Sequence, residues 1–142
     1  MKDIERAKGL FASGAYTCVL AKGEETLVSS RGGIAPMMGW LQEGRQIEGF
    51  SCADKIVGKA AALLFVLGGI REVYATVMSE SAAEVLSHHQ IAFSYHGLTK
   101  TIVNRTGTGQ CPMEETVAGI DNPQQAYLAL QNKLRALQAA KP

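Results

Sequence analysis

The chain has 142 residues, with 14 Lys and Arg against 13 Asp and Glu. This length favours a single domain, residues 1–142, that buries most of its apolar surface. The balanced charge offers no basic excess for a nucleic-acid backbone, so we predict no nucleic-acid partner. The three cysteines are odd in number and widely spaced, which favours reduced thiols over a disulfide framework.

The N-terminal segment MKDIERAKGLF is charged along its length and lacks the apolar core of a signal peptide. No unbroken apolar run reaches the length of about 20 residues that a bilayer span requires. We therefore predict a cytoplasmic protein with no membrane partner.

The first third of the chain predicts a helix, a hairpin and a second helix. Apolar residues share one face over 3–13, which indicates the first helix. Two short apolar segments, 16–21 and 26–29, flank a turn at Gly23 and predict an antiparallel hairpin. Residues 34–41 then repeat apolar side chains at helical spacing, and that helix ends near Gly44.

The stretch 51–69, SCADKIVGKAAALLFVLGG, predicts the central helix. Every residue from 60 to 67 is apolar, so a helix there is hydrophobic all round and must be buried. Ser51 and Asp54 stand at capping-box spacing, and Gly68 and Gly69 supply the stop. We expect the polar groups of this helix to gather at its start.

The second half alternates strands and helices. Residues 72–78 predict a buried strand, Ser81 and Glu84 a capped helix to about 89, and residues 91–95 a parallel strand. A further strand is predicted over 98–104 and a short helix from Pro112. A C-terminal helix at about 123–140 has an apolar stripe that packs on the domain or on a second subunit, and a homodimer is one prediction. The architecture predicted is a three-layer α/β/α sandwich with a mixed sheet.

The start of the central helix is the first candidate site. A helix N-terminus stabilises a thiolate at Cys52, with Asp54 nearby. Lys55 and Lys59 oppose the helix dipole, which is easier to explain if an anion or a carboxylate partner lies there. In the alternative reading, Asp54 is only a cap and both lysines are solvated.

The second candidate site is the loop 104–115, NRTGTGQCPMEE, which feeds a helix. Such loops bind anions through backbone N–H groups, although neither a Walker loop nor a dinucleotide fingerprint is present. Cys111 precedes the helix and Glu114 lies in its first turn. The alternative is a glycine-rich turn with a half-buried cysteine. Ligand-binding candidates are Asn104, Arg105, Thr106 and Thr108.

A third candidate is the strand end at Ser79 and Glu80, since open α/β sheets bind ligands at the carboxyl ends of their strands. Simple helix capping is the alternative there. The histidines have no ligand partner at i+4 and no Cys-x-x-Cys is present, which argues against a structural zinc site.

Three stretches resemble a small family of uncharacterised prokaryotic proteins with a cytidine deaminase-like fold: GFSCADKIVGKAAALLF, EVYATVMSESAAEVL and NRTGTGQCPME. The resemblance covers about residues 10–120. It implies a deaminase-like scaffold with a cleft where two helices begin. Zinc deaminases carry His-x-Glu or Cys-x-Glu after the first hairpin and Pro-Cys-x-x-Cys at the next helix. Here residues 52–54 read Cys-Ala-Asp and residues 78–82 contain no cysteine, so we predict neither a metal nor another cofactor.

The leading hypothesis is therefore a small-molecule site for a nucleotide-like or other anionic ligand at that cleft. Cys111 or Cys52 is the candidate nucleophile, and Asp54 or Glu114 the candidate acid or base. Whether the protein is an enzyme stays open. The alternatives are a non-catalytic binding or regulatory module and a zinc deaminase with displaced ligands.

Overall fold

The computed structural model describes residues 2–103, 107 and 109–140. The elements in chain order are α1 (Asp3–Ala12), β1 (Cys18–Lys22), β2 (Glu25–Ser29), α2 (Ala35–Gln42), β3 (Ser51–Val57), α3 (Lys59–Gly68), β4 (Glu72–Ser79), α4 (Glu80–His88), β5 (Ala92–Thr99), α5 (Pro112–Val117) and α6 (Pro123–Ala139).

The described strands form one mixed, five-stranded sheet in the order β2-β1-β3-β4-β5. β1 is antiparallel to both β2 and β3, whereas β3, β4 and β5 are parallel. The helices α3 and α4 make the two crossovers between the parallel strands. The predicted hairpin and the predicted parallel crossover are both confirmed.

Helices cover both faces of the sheet, as the sequence predicts. On one face, α1 buries Ala7 against a small cluster that includes Val19 of β1 and Ala53 of β3. The main core lies on the other face and contains residues from α2 to α6, with α3 among them. β1 and β3 are therefore buried on both faces, which explains their lack of strict apolar alternation.

The helix α3 is buried as its composition requires. All side chains from Ala60 to Phe65 are buried. The helix ends at Gly69, whose φ of 76° lies in the left-handed region that glycine adopts at low cost. The N–H of Ile70 donates to the carbonyl of Phe65 at 3.0 Å and closes this end.

The predicted start of that helix is wrong. Residues Ser51–Val57 form the strand β3, and the helix begins only at Lys59. A strand buried on both faces has the same nearly continuous apolar composition as a buried helix. The sequence pattern of β3 therefore could not be distinguished from that of α3, and the two elements were predicted as one helix. The spacing of Ser51 and Asp54 is consequently not a capping box.

Two further boundaries differ from the prediction. Ser79, not Ser81, caps α4, and its Oγ accepts the N–H of Ala82 at 3.1 Å. No strand is formed at 100–103: β5 ends at Thr99, and Val103 makes only an isolated bridge with Gln110.

The C-terminal helix packs its stripe on the domain itself. Leu130 is fully buried, and Tyr127 and Leu134 pack against the main core. Leu137 remains 39% exposed. No helix in the described part of the chain is both long and apolar enough to cross a membrane.

Candidate functional site

The carboxyl ends of the parallel strands meet at one edge of the sheet. β3 ends at Val57 and β4 at Ser79, and each strand leads directly into a helix, α3 or α4. This edge is where open α/β sheets bind their ligands.

The N-terminus of α3 is occupied by a carboxylate of the protein itself. The N–H groups of Lys59 and Ala60 donate to the two oxygens of Glu114, Oε1 at 2.7 Å and Oε2 at 2.8 Å. Glu114 comes from α5 and is only 5% exposed. The sequence pattern favoured an anion or a carboxylate partner at the start of the central helix. The carboxylate of Glu114 lies there.

Gly58 makes room for this carboxylate. A Cβ built on Gly58 would lie 2.4 Å from Oε1 and 2.6 Å from Cδ of Glu114, which is far inside van der Waals contact. The φ of Gly58 is −100°, a value open to any residue, so the glycine is needed here for space.

The side chain of Lys59 points away from the start of α3 and towards the corner between α5 and α6. Its Nζ lies 3.1 Å from Oδ1 of Asp121 and donates to the carbonyl of Ala118 at 3.2 Å. The Lys59 side chain is 14% exposed, whereas that of Asp121 is 94% exposed. The lysine is thus held in place by a partner that is almost entirely in solvent.

A groove of about 660 Å³ lies beside this ion pair, between α4 and the α5–α6 corner. One wall is a face of α4 that carries polar side chains at helical spacing. The other wall is the segment that opens α6. The polar residues that line the groove are Lys59, Ser81, Glu84, His88, His89, Asp121 and Asn122.

A second group of reactive side chains is buried between β1 and β3. Cys18 and Cys52 are both 0% exposed, and Asp54 is 6% exposed. The two Sγ atoms are 3.9 Å apart, and one carboxylate oxygen of Asp54 lies within 4.8 Å of both. Cys18 and Asp54 are directly opposite each other in the antiparallel register.

This environment disfavours charge on all three groups. A hydrogen bond to Cys52 and burial raise the pKa of the Cys18 thiol well above its ordinary value. Burial raises the pKa of Cys52, and it raises that of Asp54 to about 7. A side chain with so high a pKa and no solvent contact is a poor nucleophile, which speaks against catalysis by the Cys52 thiol alone.

The structure separates the remaining predicted site residues. Cys111 is half-buried at the N-terminus of α5, and Lys55 and Glu80 are exposed. Ser79 is buried as the cap of α4. Four predicted ligand-binding residues lie outside the described part of the chain: Asn104, Arg105, Thr106 and Thr108.

Two features were missed by the sequence reasoning. Cys18 joins Cys52 and Asp54 only through the register of β1 on β3, and Asp121 meets Lys59 only through the packing of α5 and α6 on α3. The strand period of two residues places Cys18 and Leu20 on the same face of β1, which is the only local signal. The register itself is not written in either strand.

The fold is thus an α/β fold with a mixed five-stranded sheet flanked by helices. The chain belongs to the TM1506 family, a domain of unknown function (DUF1893), whose model matches residues 6–134. A crystal structure of a DUF1893 family protein (TM1506) from Thermotoga maritima is similar, with a TM-score of 0.85 and 25% sequence identity. The match covers 94% of this chain and 91% of the other. No curated protein matches the sequence.

Proposed function

We propose that this protein binds a small anionic molecule, nucleotide-like or otherwise phosphorylated, in the groove between α4 and the α5–α6 corner. The observation that carries the proposal is the position of Lys59. Its side chain lines the groove and is mostly shielded from solvent, and among the described residues its ammonium group is paired only with an exposed carboxylate and a carbonyl.

The energetics of this ion pair favour exchange with a ligand. An ion pair with so exposed a partner contributes about 0 to 1 kcal/mol, because water and salt screen the attraction and the side chain loses freedom. A phosphate or carboxylate that replaces Asp121 would keep the charge of Lys59 compensated and add contacts to the groove. The volume of about 660 Å³ falls within the range of small-molecule sites.

The walls supply groups suited to an anion. Ser81 lines the groove in the first turn of α4, where the helix dipole favours negative charge, and its Oγ lies 3.2 Å from Oγ of Ser79. His88 and His89 lie at the other end of the same helix and also line it. Glu84 is the opposing feature, because its carboxylate repels an anion and restricts where one can lie.

We further propose that the scaffold is cytidine deaminase-like but lacks the standard zinc site. In zinc deaminases the ligands lie at the start of the helix after the first hairpin and at the start of the next helix. In this structure those two helices are α2 and α3. Residues 52–54 and 78–82, which the sequence analysis set against the deaminase motifs, lie elsewhere, in β3 and at the β4–α4 junction. Residues 30–36 and 57–62, which open them, contain no histidine, cysteine or carboxylate, so the standard zinc ligands do not fit and no zinc-dependent step follows.

Binding without catalysis is the second candidate function. The positions of the predicted catalytic groups favour it. Glu114 is committed to the start of α3, and Cys52 is fully buried. Of the two predicted nucleophiles, only Cys111 has solvent access. A regulatory or binding module predicts that Cys111→Ser leaves both ligand binding and any turnover of the bound molecule unchanged.

Two substitutions with opposite expected effects test the proposal. Lys59→Gln should abolish the rise in melting temperature that nucleoside monophosphates or inorganic phosphate cause in the wild-type protein. Asp121→Asn should increase that rise, because it removes the carboxylate that competes for Lys59. Lys55→Gln is the matched control, since Lys55 is an exposed lysine that does not line the groove.

Isothermal titration with the best anion of the panel gives the affinity of each variant. The proposal is wrong if Lys59→Gln binds as tightly as wild type, or if Lys55→Gln loses as much affinity as Lys59→Gln. If Asp121→Asn binds the anion with unchanged affinity, Asp121 does not compete with the ligand for Lys59.

A further inference from the structure

The buried group of Cys18, Cys52 and Asp54 has a composition that invites a metal ion. It joins two soft sulfur ligands and one carboxylate on adjacent, buried strands of the sheet. Cys18 and Cys52 belong to the main hydrophobic core, and the carboxyl group of Asp54 is buried beside them.

The spacing of the ligand atoms suits a tetrahedral cation. A Zn–S bond length of about 2.3 Å with tetrahedral angles places two thiolate sulfurs about 3.8 Å apart. The Sγ atoms of Cys18 and Cys52 are 3.9 Å apart. One carboxylate oxygen of Asp54 lies within 4.8 Å of both sulfurs, so the side chain closes on the two thiolates when it joins them at a common centre.

We propose that Cys18, Cys52 and Asp54 supply three of the four ligands of a thiophilic divalent cation, with zinc the best fit, and that this cation ties β1 to β3. Thiolate and carboxylate ligands together select zinc over magnesium or calcium, which prefer oxygen alone. This site differs in position and ligands from the standard deaminase site at the starts of α2 and α3, and it does not depend on the proposed anion groove.

Charge and proton balance are consistent with such a site. Binding of the dication releases one proton from each thiol to solvent, together with the proton of Asp54 where that carboxyl is protonated, so that all three ligands are ionised. The cation then compensates the three negative ligands to within one charge. Without the cation, the hydrogen bond to Cys52 and burial keep the Cys18 thiol protonated, and burial keeps the Cys52 thiol protonated.

Burial determines how the site must be loaded. Both cysteines are shielded from solvent, so a cation enters during folding and not by diffusion into the folded domain. Because the ligands come together only in the folded chain, the cation stabilises the folded state over the unfolded state.

The test is to refold the reduced, denatured full chain with and without cobalt(II), which substitutes for zinc and reports thiolate ligation by near-ultraviolet charge-transfer absorption. We expect these bands at about one cobalt per chain, their loss on addition of zinc, and a higher melting temperature with zinc than after chelation. Cys111→Ser is the matched control and should behave as wild type, while Cys52→Ser should lose the bands.

Asp54→Asn tests the third ligand. It keeps both thiolates, so the bands should persist, but zinc affinity measured against a chromophoric chelator should fall more than about 100-fold, since even outer-shell changes cost about 10- to 100-fold. Wild-type protein that refolds without taking up cobalt or zinc overturns the proposal, whether or not the variants fold. Loss of the bands in Cys111→Ser, or unchanged affinity in Asp54→Asn, also overturns it.

Discussion

Glu114 should be among the most important side chains for stability, although it lies on a short helix near the surface. Its carboxylate accepts the N–H groups of Lys59 and Ala60 at the start of α3, the helix at the centre of the core. Glu114→Ala leaves both donors without their partner, and the N–H of Ala60 is buried. An unsatisfied buried donor costs about 1 to 3 kcal/mol, and bonds to a charged acceptor lie at the upper end.

We therefore expect Glu114→Ala to lower the free energy of unfolding by about 3 to 5 kcal/mol. Glu114→Gln should cost less, about 1 to 2 kcal/mol, because its amide oxygen still accepts one N–H while its NH₂ group faces the other. Glu115→Ala is the matched control, since Glu115 is the exposed neighbour on the same turn, and it should cost less than about 0.5 kcal/mol.

Urea denaturation monitored by circular dichroism measures all three values, and equal slopes would show that the same cooperative unit unfolds. Surface substitutions scatter by roughly 1 kcal/mol in total. If the free energies of unfolding of Glu114→Ala and Glu115→Ala differ by less than that amount, Glu114 does not cap α3 in solution.

Three further predictions follow from the same structure. Gly58→Ala should cost more than about 2 kcal/mol, and a double-mutant cycle with Glu114→Ala should show that removing the carboxylate relieves most of the clash, whereas additive effects would contradict the close approach. In metal-free protein, Asp54 has a pKa of about 7 in the folded state, against 3.8 for an Asp carboxyl in water. At pH values between these two, the folded state keeps a proton on Asp54 that the unfolded state has lost. The free energy of unfolding should therefore fall as pH rises from about 4 to about 7, by up to about 4 kcal/mol, and Asp54→Asn should flatten that profile in urea titrations. If a homodimer forms through α6, Leu137→Glu should shift light-scattering masses towards the monomer, because Leu137 is the exposed end of the stripe; Leu130→Ala should instead cost about 2 to 5 kcal/mol without changing the mass.

The local sequence predicted most of the elements because the physics of each is local. The amphipathic spacing of residues 3–13, the turn at Gly23 and the prolines at 112 and 123 all mark elements that the structure confirms. The same reasoning failed at Ser51–Val57, where a strand covered on both faces by helices lost the alternation that identifies strands. It therefore placed Cys52 at the start of a helix, in an environment that would activate its thiol, when the residue is in fact buried in a sheet.

The sequence by itself determined that a buried apolar helix stands at the centre of an α/β domain, and it favoured an anion or a carboxylate partner near the start of that helix. Only the tertiary structure decided that the partner is Glu114, from a helix 55 positions further on, because the pairing depends on how α5 packs against α3. The meeting of Cys18 with Cys52 and Asp54 has the same origin, since the register between two strands is fixed by the whole sheet and both cores. Residue types are local properties of the chain, but the distances that make them a site are set by long-range packing.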